Sequence, residues 1–265
     1  MGNKQTSTVA GAAFEAANKN TAWMPKPPTD PNAPPGLEYL LMLNQIKVIQ
    51  EMSVAEAITA YEDVNRYKVI NAGGAQIYYA VEDSSTCCRQ CCGRNRGFKI
   101  NLADSNGQVA MRIVRDLNCC ANCWDCCALC GCCKHKVIVE APVGTPVATI
   151  AQNCSWCYPR YVITNMDDEE VFEISGPCRC CRCCLCCVFF EKEFTVSAQG
   201  SRVGRIVKEF SGAKEFVSDA DNFRVEFPED LDVRMKAVLL GATFMIDFMH
   251  FEEASKKEIG EDKVE

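Results

Sequence analysis

The sequence has few histidines, no long apolar run near its amino terminus and no excess of basic residues. Two histidines stand among 265 residues, and no nucleophile–base pair, P-loop or dinucleotide-binding fingerprint is present, so we expect a protein without enzymatic activity. The net charge of −7 argues against a nucleic-acid-binding protein, which would need a cluster of basic residues. A mean hydropathy of −0.10 excludes several membrane spans, and an aromatic share of 9% excludes a disordered chain.

Cysteine is the residue in excess. The 21 cysteines form four groups, and their odd number, together with the missing secretory signal, predicts a reducing, cytosolic compartment. Crowded thiols beside apolar residues favour S-acylation at a membrane surface, because acylation does not require a fixed local geometry. The groups span residues 87–92, 119–133, 154–157 and 178–187.

Zinc binding is the alternative explanation for these cysteines. Four cysteine pairs are each separated by two residues, which is the ligand spacing of tetrahedral zinc sites. Nearly every pair lies inside a denser run of cysteines, so acylation is the favoured interpretation and a zinc-binding module stays open. The pairs are Cys88 with Cys91, Cys120 with Cys123, Cys127 with Cys130, and Cys154 with Cys157.

Short segments with alternating apolar residues follow one another between residues 67 and 207. The dipeptide Asn106-Gly107 separates two of them, which is typical of a β-hairpin. The pattern predicts a mainly β fold, either an antiparallel sandwich or a barrel. Similar hairpins open at Tyr67 and Tyr161, 94 residues apart, which indicates two equivalent half-barrels.

The segment 237–251 is apolar on every side and follows the N-cap candidates Asp230 and Asp232. As a helix its fifteen residues would rise about 22 Å, less than the roughly 30 Å of a bilayer's hydrocarbon core. We therefore predict a helix buried inside the β-structure, with a single-pass membrane anchor as the alternative. The predicted buried side chains are Leu239, Leu240, Phe244, Met245, Ile246 and Phe248.

The amino-terminal part of the chain predicts a disordered, proline-rich segment over residues 1–35. Six prolines fall within residues 25–35, which is typical of a polyproline-type spacer. Residues 37–41 follow with leucines at helical spacing, so we expect folding to begin there. Gly2 follows Met1 in a pattern that matches N-myristoylation. One myristoyl chain binds membranes only marginally, so acylated cysteines would supply the second anchor.

Several segments together resemble the phospholipid scramblase family. The resemblance implies a tubby-like antiparallel β-barrel of about twelve strands that encloses a hydrophobic C-terminal helix. It places this domain at 36–252, with the central helix at 233–251 and a polar tail at 253–265. The segments that carry it are 34–40, 78–83 with Cys87 and Cys88, 141–144, 174–178, 219–223 and 227–237.

The same resemblance implies an activity. Members of the family move phospholipids between leaflets in both directions, with calcium and without ATP, from the cytoplasmic face of the plasma membrane. It also implies palmitoylation of a cysteine run just before the Ala141-Pro142 dipeptide. A membrane-tethered adaptor without intrinsic scrambling, binding protein partners through the proline-rich segment, is the alternative function. The cysteines at the corresponding positions are Cys126, Cys127, Cys130, Cys132 and Cys133.

The resemblance finally implies a calcium segment at residues 219–230. Counted as a twelve-residue calcium loop, its ligand positions differ from the usual pattern, because Phe223 replaces an oxygen ligand and Val225 offers only its carbonyl. Residues 223–227 also alternate as a strand with one buried face would. The candidate calcium residues are Asp219, Asp221, Phe223, Val225 and Asp230.

Overall fold

The computed structural model describes residues 22–31, 33–51, 64–85, 92, 95–118, 134–155, 158–177, 192–209 and 222–251. These residues contain twelve strands, one short 3-10 helix and one long α-helix, named α1 (Val233–His250). The strands are β1 (Gln45–Glu51), β2 (Arg66–Asn71), β3 (Gln76–Asp83), β4 (Phe98–Ala103), β5 (Val109–Arg115), β6 (Lys136–Glu140), β7 (Pro146–Asn153), β8 (Arg160–Asn165), β9 (Glu170–Ser175), β10 (Lys192–Ala198), β11 (Ser201–Glu209) and β12 (Asn222–Glu226).

The twelve described strands form one closed antiparallel barrel. Each strand pairs with its neighbours in sequence, and β12 closes the barrel by pairing with β1, with Val225 opposite Ile46. The alternation that predicted strands follows from this closure, because every second side chain points inward; Phe98, Ile100 and Leu102 of β4 are all buried. The prediction of an antiparallel barrel around a C-terminal helix is confirmed.

The connections divide the barrel into two different ends. Strands alternate in direction, so every second connection starts and ends at the same end of the barrel. We call this end the cysteine end, because all four cysteine groups fall in these connections. The connections are β1–β2, β3–β4, β5–β6, β7–β8, β9–β10 and β11–β12. The other end, the turn end, carries the tight hairpins. Gly107 there has a φ of 76°, as the Asn106-Gly107 turn requires.

Helix α1 fills the barrel and runs from the turn end to the cysteine end. Asp232 caps it through Oδ1, which accepts hydrogen bonds from the backbone N–H groups of Arg234 at 2.9 Å and Met235 at 3.3 Å. The six side chains predicted to be buried are each at most 1% exposed. Gly241 permits close packing, because a Cβ there would stand 2.7 Å from Cγ2 of Val139.

Lys236 fixes the start of the helix to the turn end. Its ammonium group donates to the backbone carbonyls of Leu40 at 3.0 Å, Leu41 at 3.0 Å, Leu43 at 2.8 Å and Glu229 at 2.7 Å. These carbonyls belong to the segments before β1 and before α1. The lysine therefore supplies a charged donor to four backbone carbonyls; the Leu40 carbonyl also accepts from the Leu43 N–H at 3.3 Å.

The segment before β1 differs from the sequence prediction. Leucines at helical spacing predict a helix, but the structure has only the three-residue 3-10 helix Glu38–Leu40, followed directly by β1. Residues 22–24 also contact the barrel, because the Met24 N–H donates to the Gln76 carbonyl at 2.8 Å, whereas the sequence predicts disorder over 1–35. The boundaries 36–252 and the tail 253–265 stay predictions, and the tail lies outside the described residues.

The two halves of the barrel correspond in position. Tyr67 lies in β2 and Tyr161 in β8, six strands further on in a barrel of twelve. Both rings are 1% exposed and point inward toward the helix. This placement is what two equivalent half-barrels require.

Candidate functional site

The cysteine end concentrates the chemistry that the sequence singles out. In sequence, all 21 cysteines fall between the described strands, in the β3–β4, β5–β6, β7–β8 and β9–β10 connections. The two described cysteines, Cys92 and Cys154, are half-buried, and Cys154 carries a free thiol. Antiparallel up-and-down topology places the strand ends that flank all four groups at one end of the barrel, although the groups are up to 100 residues apart in sequence.

A buried ion pair closes the base of the β3–β4 connection. Glu82 lies at the end of β3 and Arg96 just before β4, and their side chains are 0% and 1% exposed. Arg96 donates from Nε to Glu82 Oε1 at 2.9 Å and from Nη2 to Oε2 at 3.1 Å. The fork geometry fixes both side chains and holds the two strand ends together.

Glu82 is also tied to its neighbours. Asn65 donates from Nδ2 to Oε2 at 2.8 Å, and the Ser84 hydroxyl donates to Oε1 at 2.5 Å. Burial alone would raise the pKa of Glu82, but the charge of Arg96 and these hydrogen bonds outweigh burial and hold the pKa below its ordinary value. The guanidinium of Arg96 also lies 4.7 Å from the Phe248 ring centre, so the pair reaches the helix.

The two corresponding tyrosines bind the end of the helix that faces the cysteine end. The Tyr67 hydroxyl donates to Oδ2 of Asp247 at 2.7 Å, and Tyr161 Oη shares a hydrogen bond of 2.5 Å with Nε2 of His250. Phe194 stacks on the His250 ring at a centroid distance of 5.8 Å. The polar side chains in the last two turns of α1 are therefore held by the two halves of the barrel.

The predicted lipidation residues lie outside the described residues. Gly2 and the five candidate cysteines between 126 and 133 fall there, so their acylation stays a prediction. The β5–β6 connection that contains those cysteines begins after Arg115 and returns at Lys136, both at the cysteine end. None of the zinc-type cysteine pairs lies wholly among the described residues either.

The calcium segment does not form one continuous loop. Asp219 and Asp221 lie outside the described residues and precede in sequence the end of β12 at the cysteine end, whereas Asp230 is exposed at the turn end beyond that strand. Phe223 and Val225 are 1% and 0% exposed, inside the barrel. Five strand residues, about 13 Å from first to last, separate the acidic groups. This arrangement replaces the predicted twelve-residue loop, and calcium at Asp219 and Asp221 stays a prediction.

The described residues offer neither a clustered metal site nor a membrane-spanning helix. No group of three or more His, Cys, Asp or Glu side chains in this part of the chain is placed to hold a metal ion. Among the same residues, no helix combines the length and the apolar character needed to cross a membrane.

Sequence reasoning missed the residues that hold the cysteine end together. Glu82 and Arg96 flank the first cysteine group, and opposite charges at the two ends of a cysteine-rich connection were the signal available. Asp247 and His250 stand within or beside an apolar segment, and the sequence gives no sign of their partners Tyr67 and Tyr161. The partners of these residues come from strands far away in sequence.

Comparisons with known proteins match most of the chain. The family described as Scramblase matches residues 24–253, a range that contains all twelve strands and α1. The chain is 41% identical over 239 residues to mouse phospholipid scramblase 1, covering 90% of this chain and 70% of that protein. It is 42% identical over 231 residues to human phospholipid scramblase 2, covering 87% and 75%. Human phospholipid scramblase family member 5 is 34% identical over 224 residues, covering 83% and 79%.

Proposed function

The chain belongs to the phospholipid scramblase family, and we propose that it moves phospholipids in both directions between membrane leaflets, with calcium and without ATP. The observation that carries this proposal is the family match, which extends over the whole barrel and its helix. Phospholipids are then the substrate, and no bond is made or broken. The protein acts as a lipid transporter rather than an enzyme.

Lipid anchoring is part of the proposal. We propose that palmitate on Cys126, Cys127, Cys130, Cys132 and Cys133, with myristate on Gly2, holds the protein at the cytoplasmic face of the plasma membrane. The strand ends that flank every cysteine group lie at one end of the barrel, which supports this proposal, because acyl chains attached close to those ends would enter the same membrane surface. Two or more acyl chains give stable anchoring where one does not.

Calcium is proposed to bind at the β11–β12 connection. Asp219 and Asp221 stand in sequence directly before β12, so this connection offers carboxylate oxygens at the cysteine end. Asp230, at the opposite end, does not contribute to such a site. Calcium binding would therefore add positive charge at the end that carries the proposed acyl chains, close to the lipid headgroups.

The proposal is tested with the purified full chain in vesicles that carry a fluorescent phospholipid. After reconstitution, a membrane-impermeant reductant bleaches outer-leaflet label; we expect more than half of the label to bleach with calcium and without ATP, and about half to bleach without calcium. A bleached fraction that stays at half under both conditions would overturn the proposal and favour the membrane-tethered adaptor.

Two double variants separate the calcium site from general effects of charge. Asp219→Asn with Asp221→Asn should abolish the calcium response. Asp167→Asn with Glu170→Gln removes the same two charges from exposed positions at the turn end and should leave the response unchanged. Metal analysis of the same protein addresses the zinc alternative, since stoichiometric zinc without added metal would contradict acylation of those cysteines.

A further inference from the structure

We propose that a groove between the ends of β5 and β6 binds the phosphate of anionic phospholipids and so docks the cysteine end on the membrane surface. The inference rests on the proposed function for the membrane it binds and on the proposed acylation for the depth of the groove in that membrane. The residues that line the groove are not used by the lipidation and calcium proposals.

The groove exists because β5 and β6 separate before they end. Their pairing is limited to three residue pairs, the last being Val114 with Ile138, although β5 continues to Arg115 and β6 begins at Lys136. Beyond that point Asn118 spans the gap, donating from Nδ2 to the Lys134 carbonyl at 2.9 Å. The space left on the outer face has a volume of about 290 Å³.

The lining of the groove suits a phospholipid headgroup and the glycerol beneath it. Val114, Ile138 and Leu117 supply apolar surface, and the Leu117 side chain is 47% exposed. Lys134 and Lys136 flank this surface with ammonium groups, which bind phosphate as point charges. Asp116 is the carboxylate among the lining residues, so the two lysines leave the groove with a net positive charge.

The position of the groove indicates that it binds a membrane surface. Its walls are the two strand ends from which the β5–β6 connection departs and to which it returns. Between Cys119 and Cys133 that connection contains eight cysteines and one charged residue, Asp125. An acylated connection would enter the acyl region, and the lysines at its base would then lie at the depth of the lipid phosphates.

The turn end of the barrel carries a net negative charge among its exposed described residues. Seven exposed carboxylate residues lie there with three exposed cations, Lys26, Arg202 and Arg234, and the net charge of −4 would be repelled by an anionic surface. Charge complementarity therefore orients the barrel with the cysteine end toward the membrane. The seven are Asp167, Asp168, Glu169, Glu170, Glu229, Asp230 and Asp232.

The experiment measures vesicle binding of the full chain produced in bacteria without acyl chains and kept reduced. Vesicles contain phosphatidylcholine alone or with phosphatidylserine, and bound protein is quantified by sedimentation. We expect tighter binding to the anionic vesicles, and Lys134→Ala with Lys136→Ala should lower that partition coefficient about 30-fold, since each lysine near an anionic surface contributes about a factor of five. Matched removal of Lys26 and Arg234, exposed at the turn end, should change it less than twofold.

A second pair of variants tests the apolar lining. Leu117→Asp should weaken binding to anionic vesicles, whereas Met166→Asp, at a position 54% exposed at the turn end, should not. Equal binding by the wild type and the lysine variant, or no preference for anionic vesicles, would overturn the inference. Lipid exchange measured in parallel keeps the two proposals apart. Calcium-dependent exchange together with lysine-independent vesicle binding would overturn the groove proposal alone, and lysine-dependent binding without exchange would overturn only the scrambling proposal.

Discussion

Replacing Arg96 by methionine tests whether the buried ion pair holds the cysteine end of the barrel together. The change removes both fork hydrogen bonds to Glu82, at 2.9 Å and 3.1 Å, and leaves that carboxylate 0% exposed without its counter-charge. Breaking a buried pair in this way costs about 3–5 kcal/mol in the free energy of unfolding. For a domain of this size the melting temperature should fall by about 6–20 °C.

The measurement is urea unfolding of the reduced protein, followed by circular dichroism. The matched control is Arg160→Met, which breaks the Arg160–Glu173 pair at the same end of the barrel. The side chains of that pair are 36% and 42% exposed, so its loss should cost about 0–1 kcal/mol. Replacing Glu82 by glutamine together with Arg96→Met should recover part of the loss, because no buried charge remains.

The pH dependence gives a second readout. In the wild type the pKa of Glu82 is lowered, so its contribution to stability is present at neutral pH and is lost as the pH falls below about 4.5. Without Arg96, burial should raise that pKa, and the variant should gain stability relative to the wild type as the pH falls. Equal costs for Arg96→Met and Arg160→Met, or a difference that does not narrow toward pH 4, would refute the reasoning.

Two further predictions concern contacts of the helix, and both are measured by urea unfolding at pH 7. Lys236→Met should lower the free energy of unfolding by about 3 kcal/mol, because four backbone carbonyls lose one charged donor. Arg234→Met, on the exposed side of the helix, should change it by no more than about 0.5 kcal/mol. Similar values for the two variants would contradict the role of Lys236. Tyr67→Phe should cost about 1–3 kcal/mol through the lost hydrogen bond to Asp247, and a cost no larger than that of Tyr158→Phe, at an exposed ring, would count against it.

The sequence predicts the barrel well where burial alternates and turns are regular. The β4–β5 hairpin combines inward residues at every second position with a Gly107 that adopts positive φ, and both signals are local. The apolar pattern alone predicts the helix only from residue 237, because Lys236 is charged; the first turn was predicted by the family resemblance, which places the helix at 233–251. Only the folded chain brings the four carbonyls that make the burial of Lys236 possible.

Strand β1 was missed for a different reason. Three leucines between residues 37 and 41 mimic helical spacing, yet they pack around a 3-10 helix of three residues. The alternation of Ile46 and Val48 that follows is short, and its partners are β2 and the last strand of the barrel. Pairing between the two ends of the chain has no local signature.

The candidate site also depends on contacts between distant parts of the chain, which the sequence does not reveal. The cysteine groups are visible in the sequence, but their convergence depends on each group falling in a connection of the same direction. The groove depends on β5 and β6 separating beyond Val114 and Ile138, and no single strand encodes that separation. Asp219, Asp221 and Asp230 are close in sequence because β12, which lies between them, has only five residues. The strand nevertheless runs to the turn end, and Asp230 lies there.

The helix that fills the barrel is also the last element of the described chain. During synthesis all twelve strands leave the ribosome before α1 does, so their inward faces lack the helix they pack against until α1 has also been made. A nascent chain in this state exposes apolar, aggregation-prone β-strands and depends on chaperones or on rapid synthesis of the helix. A premature stop codon just upstream of Val233 would thus cost the cell the whole domain, not merely its final tenth.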